Sequence, residues 1–193
     1  NNCIDPQAWG GGIITNYSGA TMTNITVTDN TAFLGGGISA SNSEITLTHA
    51  TVSGNTATGF GGGLFTGQNS TTTLTNSIIW DNIPQYFVSF GTSIITYSDI
   101  QDGWEGEGNI DTDPLFTNPE NGDFTLQEGS PCIDAGIADL DDDGVEDITD
   151  YYGTAPDMGA FEYIGTGGTT DITVTYNTGW NIVSLPVEVE GPD

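Results

Sequence analysis

Three glycine triplets, Gly10-Gly11-Gly12, Gly35-Gly36-Gly37 and Gly61-Gly62-Gly63, start units 25 and 26 residues apart, and no other feature restricts the fold as much. Each triplet follows a bulky apolar residue (Trp9, Leu34, Phe60) and precedes another (Ile13, Ile38, Leu64). Further along each unit, residues recur in step: Met22, Leu47 and Leu74, then Ile25, Ala50 and Ser77, then Val27, Val52 and Ile79. Asn30, Asn55 and Asn82 close the set. A shorter fourth unit continues it with Ile95, Ser98, Ile100 and Gly103, without a triplet. The segments between are short and alternating, such as Ile45-Thr46-Leu47 and Thr51-Val52-Ser53, and none shows helical periodicity.

Short strands repeated about every 25 residues predict an all-β solenoid whose successive coils pair in parallel at ~4.8 Å. Equivalent side chains then stack into ladders. The asparagines are expected at turns near the left-handed region, where a column of amides also bonds coil to coil. Threonine at alternate positions fits a solvated outer strand face. A β-sandwich with glycine-rich hairpins is the alternative, but it has no reason to repeat side-chain identities at a fixed step.

Charge narrows the partners. The chain has 27 acidic residues, no Lys or Arg and one His, for a formal charge of -27. Binding nucleic acid or an anionic lipid surface requires cationic side chains to displace counterions, so neither is an expected partner. No run of 18 apolar residues exists, so membrane insertion is not expected either. Without Lys or Arg the chain also offers trypsin-type proteases no site. It opens inside what reads as a repeat rather than at a signal peptide, which suggests a mature or trimmed segment.

The acid is uneven: Asp5, Asp29, Glu44 and Asp81 are the four carboxylates of residues 1–98, and residues 99–193 carry 23. This divides the chain into β-solenoid coils over 1–104 and an acidic C-terminal β cap over 105–164. A Gly/Thr linker over 165–170 and an incomplete β module or pair of docking strands over 171–193 follow. In that last part, Ile172–Tyr176 and Asn181–Val189 alternate as strands, and two strands alone are marginal without a host.

The clearest chemical signal is the run from Asp139 to Asp150, with seven carboxylates in twelve residues. Asp139, Asp141 and Asp143 occupy loop positions 1, 3 and 5, Gly144 position 6, Val145 a backbone-carbonyl position, Asp147 position 9 and Asp150 position 12. That spacing predicts a calcium loop, the glycine allowing the sharp turn and a divalent cation relieving the repulsion among carboxylates. No helical pattern flanks it, so an EF-hand pair is not expected, and a solvated acidic loop is the alternative reading. Asp111-Thr112-Asp113 beside Pro114 is a second acidic cluster, read as a turn sooner than a cation site. Asn16, Asn24 and Asn69 lie in N-x-[ST] sequons, a weak signal by themselves.

The glycine starts with `TVTDNTA` and `TVSGNTA`, and above all `GNIDTDPLFTNPENGDFTLQEGSPCIDAG` with `DLDDDGVEDITDYYGTAPDMGAFEY`, resemble secreted bacterial β-helix repeat proteins of the pectate-lyase-like superfamily. The likeness spans roughly residues 1–164 and includes surface-anchored and adhesin-like members. It implies a right-handed parallel β-helix, secretion and an extracellular or cell-surface location, and it implies little about activity. The tail `TVTYNTGWNIVSLPVEV` resembles the opening strands of a small β module near the C-terminus of secreted proteins.

The resemblance also raises polysaccharide cleavage. Lyases of this superfamily use a Lys or Arg near the abstracted proton, and this chain has no basic side chain except His49. A glycosidase needs only two carboxylates, yet Asp29, Glu44 and Asp81 fall at no common repeat position. His49 has no second histidine and reads as a lone surface imidazole. Cys3 and Cys132 would lie about four coils apart, roughly 20 Å, beyond the ~7 Å that a disulfide spans. Cys132 is therefore expected as a buried apolar residue, with a head-to-tail intermolecular bond as the alternative. The expectation is a non-catalytic structural or adhesive surface protein that self-associates end to end, because solenoid ends expose strand edges. The rival is a carbohydrate-binding or polysaccharide-cleaving protein using Trp80, Tyr86, Phe87 and Trp104 as platforms for surface or environmental glycans.

Overall fold

A computed structural model describes residues 10–84, 88–89 and 91–165. Cys3, Trp9, Tyr86, Phe87, the linker beyond Gly165 and the expected strand pair of 171–193 lie outside the described residues. The rest is all-β, a parallel β-solenoid of about three turns. The first described coil holds β1 (Ile13–Asn16), β2 (Gly19–Thr28) and β3 (Thr31–Leu34), and the second holds β4 (Ile38–Ser41), β5 (Glu44–Ser53) and β6 (Thr56–Phe60). The third has β7 (Leu64–Thr66), β8 (Thr71–Thr75) and β9 (Ile78–Trp80), and a fourth begins with β10 (Val88–Ser89), β11 (Thr92–Thr96) and β12 (Asp99–Ile100).

Strands of successive coils pair in parallel, in the register read from the repeat. Met22, Leu47, Leu74 and Ile95 stack in one column, and Val27, Val52, Ile79 and Ile100 in another. These residues and Ile38, Ile45 and Leu64 form the interior of the solenoid. Alternation puts their neighbours on the outside, which is why Ile45-Thr46-Leu47 is apolar only at its ends.

Asn30, Asn55 and Asn82 are aligned and buried. The Oδ1 of Asn55 accepts from the backbone N–H of Asn30 at 3.0 Å and from its Nδ2 at 3.1 Å, and Asn82 does the same for Asn55 at 3.0 Å in both bonds. One expectation fails: these asparagines are not left-handed. The left-handed residue is the one before each, Asp29, Gly54 and Asp81 at φ 55°, 67° and 55°. That residue makes the corner, leaving the asparagine free to turn its amide inward along the column. The triplets follow from the same geometry. Gly10, Gly35 and Gly61 take positive φ, and a Cβ at Gly12, Gly37 or Gly63 would lie 2.9–3.1 Å from the asparagine amides.

A second ladder runs beside the first. Ser77 Oγ accepts from the N–H of Ala50 at 3.0 Å, Ser98 Oγ from that of Ser77 at 3.1 Å, and Asn109 Oδ1 from that of Ser98 at 3.0 Å. Asn109 belongs to a stretch that pairs along the end of the fourth coil, with Ile110 bridging Asp99. From Pro114 the chain leaves the coil axis and runs along the side of the solenoid. Among the described residues one further strand pair forms there: β13 (Phe116–Asn118) and β14 (Asp123–Leu126) are antiparallel, joined by a 3-10 turn over Pro119–Asn121. Among the described residues no helix is long and apolar enough to cross a membrane.

Candidate functional site

The flank created by residues 114–164 decides where chemistry can occur. In β9 both Ile78 and Ile79 are buried, although strand alternation points them to opposite sides. Ile79 faces the interior, and Ile78 anchors a second core with Phe116, Phe124, Leu126, Cys132 and Met158. Phe116 and Phe124 meet edge to face, their centroids 5.2 Å apart. Polar contacts fix the docking: Ala160 N–H donates to Thr51 Oγ1 at 3.0 Å and Gly159 N–H to the Asn76 carbonyl at 2.9 Å.

The motif residues of this flank act as staples for backbone that has no sheet partner. Asp134 Oδ1 accepts from Thr154 N–H at 2.6 Å and Ala155 N–H at 3.2 Å. Asp157 accepts from the N–H groups of Asp134 and Tyr163, and Glu162 from those of Asp157 and Tyr152. Asp157 is buried, and burial pushes the carboxyls of Asp157 and Glu162 upward against those hydrogen bonds.

His49 is not a surface residue. It is 7 % exposed, at a left-handed corner in the column of Asn24 and Asn76, and the flank covers it. Asn76 pairs with both backbone groups of Ile137, its Oδ1 accepting and its Nδ2 donating at 2.8 Å, which fixes the amide's orientation. The second Nδ2 hydrogen then points at His49 Nε2, 3.1 Å away, so the ring is neutral and carries its proton on the other nitrogen. Burial lowers its pKa, and a backbone hydrogen bond with Gly159 opposes that. The sequence reading missed this because nothing local to Thr48-His49-Ala50 reveals a segment docking from a hundred residues away.

Cys132 is buried and free within the second core, as expected, and it also meets one polar group. Its Sγ lies 3.3 Å from Oδ2 of Asp99, a carboxyl with no exposure whose Oδ1 accepts from Thr112 N–H at 3.2 Å. Burial pushes Asp99 up to about 7, with Asp111 and Asp113 adding to it, and pushes the Cys132 thiol up as well. Burial thus biases both groups toward their protonated forms, which leaves the thiol unreactive. Asp113 accepts from the N–H of Leu115, a local turn bond, and Asp111 from that of Asp102, nine residues earlier.

Of the six positions in the acidic run, Asp139, Asp141 and Asp147 bring carboxylate oxygens within 4.8 Å of one another. Asp139 accepts from the N–H of Asp143 at 3.2 Å and of Gly144 at 2.8 Å, and Asp147 from that of Leu140 at 2.8 Å, so backbone amides wrap the loop around these two carboxylates. Asp143 accepts from Val145 N–H at 2.8 Å, and neither it nor Asp150 joins the cluster. Val145 is exposed.

Between this loop and the solenoid lies a cleft of about 530 Å³ whose walls include Thr23, Asn24, His49, Asp150, Tyr152 and Phe161. Tyr152 and Phe161 are exposed there, in a size range that holds small ligands. The sequence reading named other aromatics. Trp80 instead packs on the second core and Trp104 on the first. The only sequence signal for Tyr152 and Phe161 is that both follow the acidic run inside `DYYGTAPDMGAFEY`. Comparisons with family models, with curated proteins and with solved structures find no match to this chain.

Proposed function

We propose that the chain is a non-catalytic structural or adhesive module of a secreted, cell-surface bacterial protein, of the surface-anchored kind that its motifs resemble. The observation that supports a structural role is the continuous ladder of coil-to-coil bonds through Asn30, Asn55 and Asn82. Among the described residues, β1, β2 and β3 pair with the following coil, and strands at the end of such a stack can accept a further strand by edge addition. We propose end-to-end self-association into a fibre or stalk by that addition. Negative-stain images of the purified chain at high concentration should show rods longer than one solenoid, and dispersed single particles at every concentration would refute assembly.

Calcium belongs to the same proposal, with Asp139, Asp141 and Asp147 as carboxylate ligands and the remaining loop positions closing on the ion. A cation bound only by the folded loop stabilises by about 2.7 kcal/mol at a hundred times its dissociation constant. Melting with calcium and then with excess chelator should therefore give a higher Tm with the ion, and Asp139→Asn should remove the difference. Equal melting in both conditions would leave the loop as solvated acid.

The cleft bearing Tyr152 and Phe161 favours a second reading, carbohydrate binding or cleavage, since exposed aromatics beside carboxylates suit sugar faces and hydroxyls. A glycan array together with product analysis on uronate polymers separates the two: binding assigned to this cleft by loss in Phe161→Ala supports the second.

A further inference from the structure

The cleft that holds Tyr152 and Phe161 has walls of one charge sign. Asp147, Asp150 and Glu162 line it, and the sequence contains no Lys or Arg to offset them. His49 borders it too, but its Nε2 faces the amide donor of Asn76, so the ring is neutral. Glu162 is held in place through both oxygens, which accept from the N–H groups of Asp157 and Tyr152. Asp150 is exposed, and among the described residues nothing hydrogen-bonds its carboxylate. Tyr152 and Phe161, 48 % and 42 % exposed, leave ring surface open beside these acids. A smaller cleft of about 220 Å³ repeats the pairing along the same column of the sheet, which runs Thr23, Thr48, Thr75, Thr96. There Tyr97 stands with Glu107, Asp139 and Asp142. Phe161, Glu162, Tyr97 and Glu107 all lie outside the acidic run, so the pairing of ring and carboxylate is not a by-product of that loop.

We propose that the larger cleft binds a protonated amino sugar, an inference that rests on the carbohydrate reading of this site and names its ligand class. An ammonium group is drawn both to carboxylates and to the faces of aromatic rings, and a sugar ring covers the apolar surface that Tyr152 and Phe161 expose. A uronate would instead bring its own carboxylate against three others with no cation between them, a like-charge contact that disfavours binding. A neutral sugar would cover the carboxylates without supplying a counter-charge. Thr23 and Asn24, both exposed in the same wall, add hydroxyl and amide partners for ring hydroxyls. The bare alkyl stem of a lysine side chain would leave those unused. Another copy of this sequence brings neither Lys nor Arg, so it is not the source of the cation.

Calorimetric titration of the full chain with short glucosamine, N-acetylglucosamine and uronate oligomers tests the proposal. The free-amine oligomer should bind saturably, and its N-acetylated form, which keeps the ring and removes the charge, should bind about tenfold more weakly, the loss expected of one charged hydrogen bond. Asp150→Asn should cost the free-amine oligomer a similar factor and leave the acetylated one unchanged, while Phe161→Ala should weaken both, with melting unaltered in each variant. Glu128→Gln removes one of the 27 acids at an exposed position outside both clefts and should change neither affinity, which separates the cleft from diffuse attraction to an acidic chain. Equal affinity for the free and acetylated oligomers, or preference for the uronate, would overturn the amino-sugar assignment and leave the cleft a carbohydrate site. Failure of every oligomer to bind would remove both. Equal losses in Asp150→Asn and Glu128→Gln, or displacement by a lysine peptide at the same affinity, would also overturn it.

Discussion

Replacing Asn55 with leucine should destabilise the solenoid by about 3–5 kcal/mol, the range in which several buried polar groups lose their partners at once. Asn55 has no exposure, so water cannot take its place. Its Oδ1 is the acceptor for the N–H and the Nδ2 of Asn30, and its Nδ2 donates to the carbonyls of Val27 at 2.7 Å and Ser53 at 3.0 Å. Leucine has the same branching and number of side-chain heavy atoms but cannot make any of these bonds in a dry column. The asparagine is also the middle member of three, so its side-chain bonds to both Asn30 and Asn82 are lost together, while its backbone N–H still donates to Asn82. Urea unfolding measures this directly, with exposed Asn121 as the comparison site. A loss below about 1 kcal/mol, the size expected of one ordinary hydrogen bond, would show that the ladder is incidental to the stack.

Stability should fall as pH rises from about 4 to about 7, and Asp99→Asn should remove most of that slope. Asp99 has its carboxyl pushed up from 3.8 to about 7 by burial. A carboxyl with a raised folded pKa holds its proton more tightly in the native state. Its contribution is complete below the unfolded value and is lost as pH rises through the folded one. Three pKa units correspond to a loss of order 4 kcal/mol. Asparagine keeps an acceptor for Thr112 N–H and presents a donor that needs no ionisation, so the variant should be the more stable protein at pH 8. Asp157 and Glu162, shifted in the same direction, leave a smaller residual slope.

His49 works in the opposite sense. Its pKa is lowered from 6.5, so its contribution is present above that value and is lost as pH falls through the folded pKa. The structural reason is that protonated Nε2 would face the Nδ2 hydrogen of Asn76, donor against donor. His49→Asn suits a left-handed corner already occupied by asparagine in the coils on either side, and it should remove only the acid limb of the profile. Unfolding free energies of both variants from pH 4 to 8 separate the two groups. Parallel curves for wild type and Asp99→Asn would sink the assignment of the alkaline loss to Asp99.

The resemblance carried by `SPCIDAG` and `DMGAFEY` acquires a physical content here that no repeat analysis supplies. Asp134, Asp157 and Glu162 are spaced irregularly in sequence, yet each closes on backbone amides of another part of the flank. They hold together a segment that contains only one short strand pair and so lacks most of the ladder bonds that satisfy backbone elsewhere.

The sequence by itself determined the solenoid, its period and its register. Each coil sits on a near-copy of itself, so a residue's partner is the residue one repeat away, and the alignment of Met22, Leu47 and Leu74 or of Asn30, Asn55 and Asn82 can be read by counting. Only the tertiary structure decided what lies on the side of the stack. The docking of residues 114–164 joins groups with no fixed separation, such as Thr51 with Ala160 and Asn76 with Ile137. That docking buries His49 and seals Asp99 against Cys132, and the folding of the acidic loop selects Asp139, Asp141 and Asp147 from seven nearby acids. Non-repeating surfaces meet by shape and by the need to satisfy buried polar groups, and neither leaves a period in the chain.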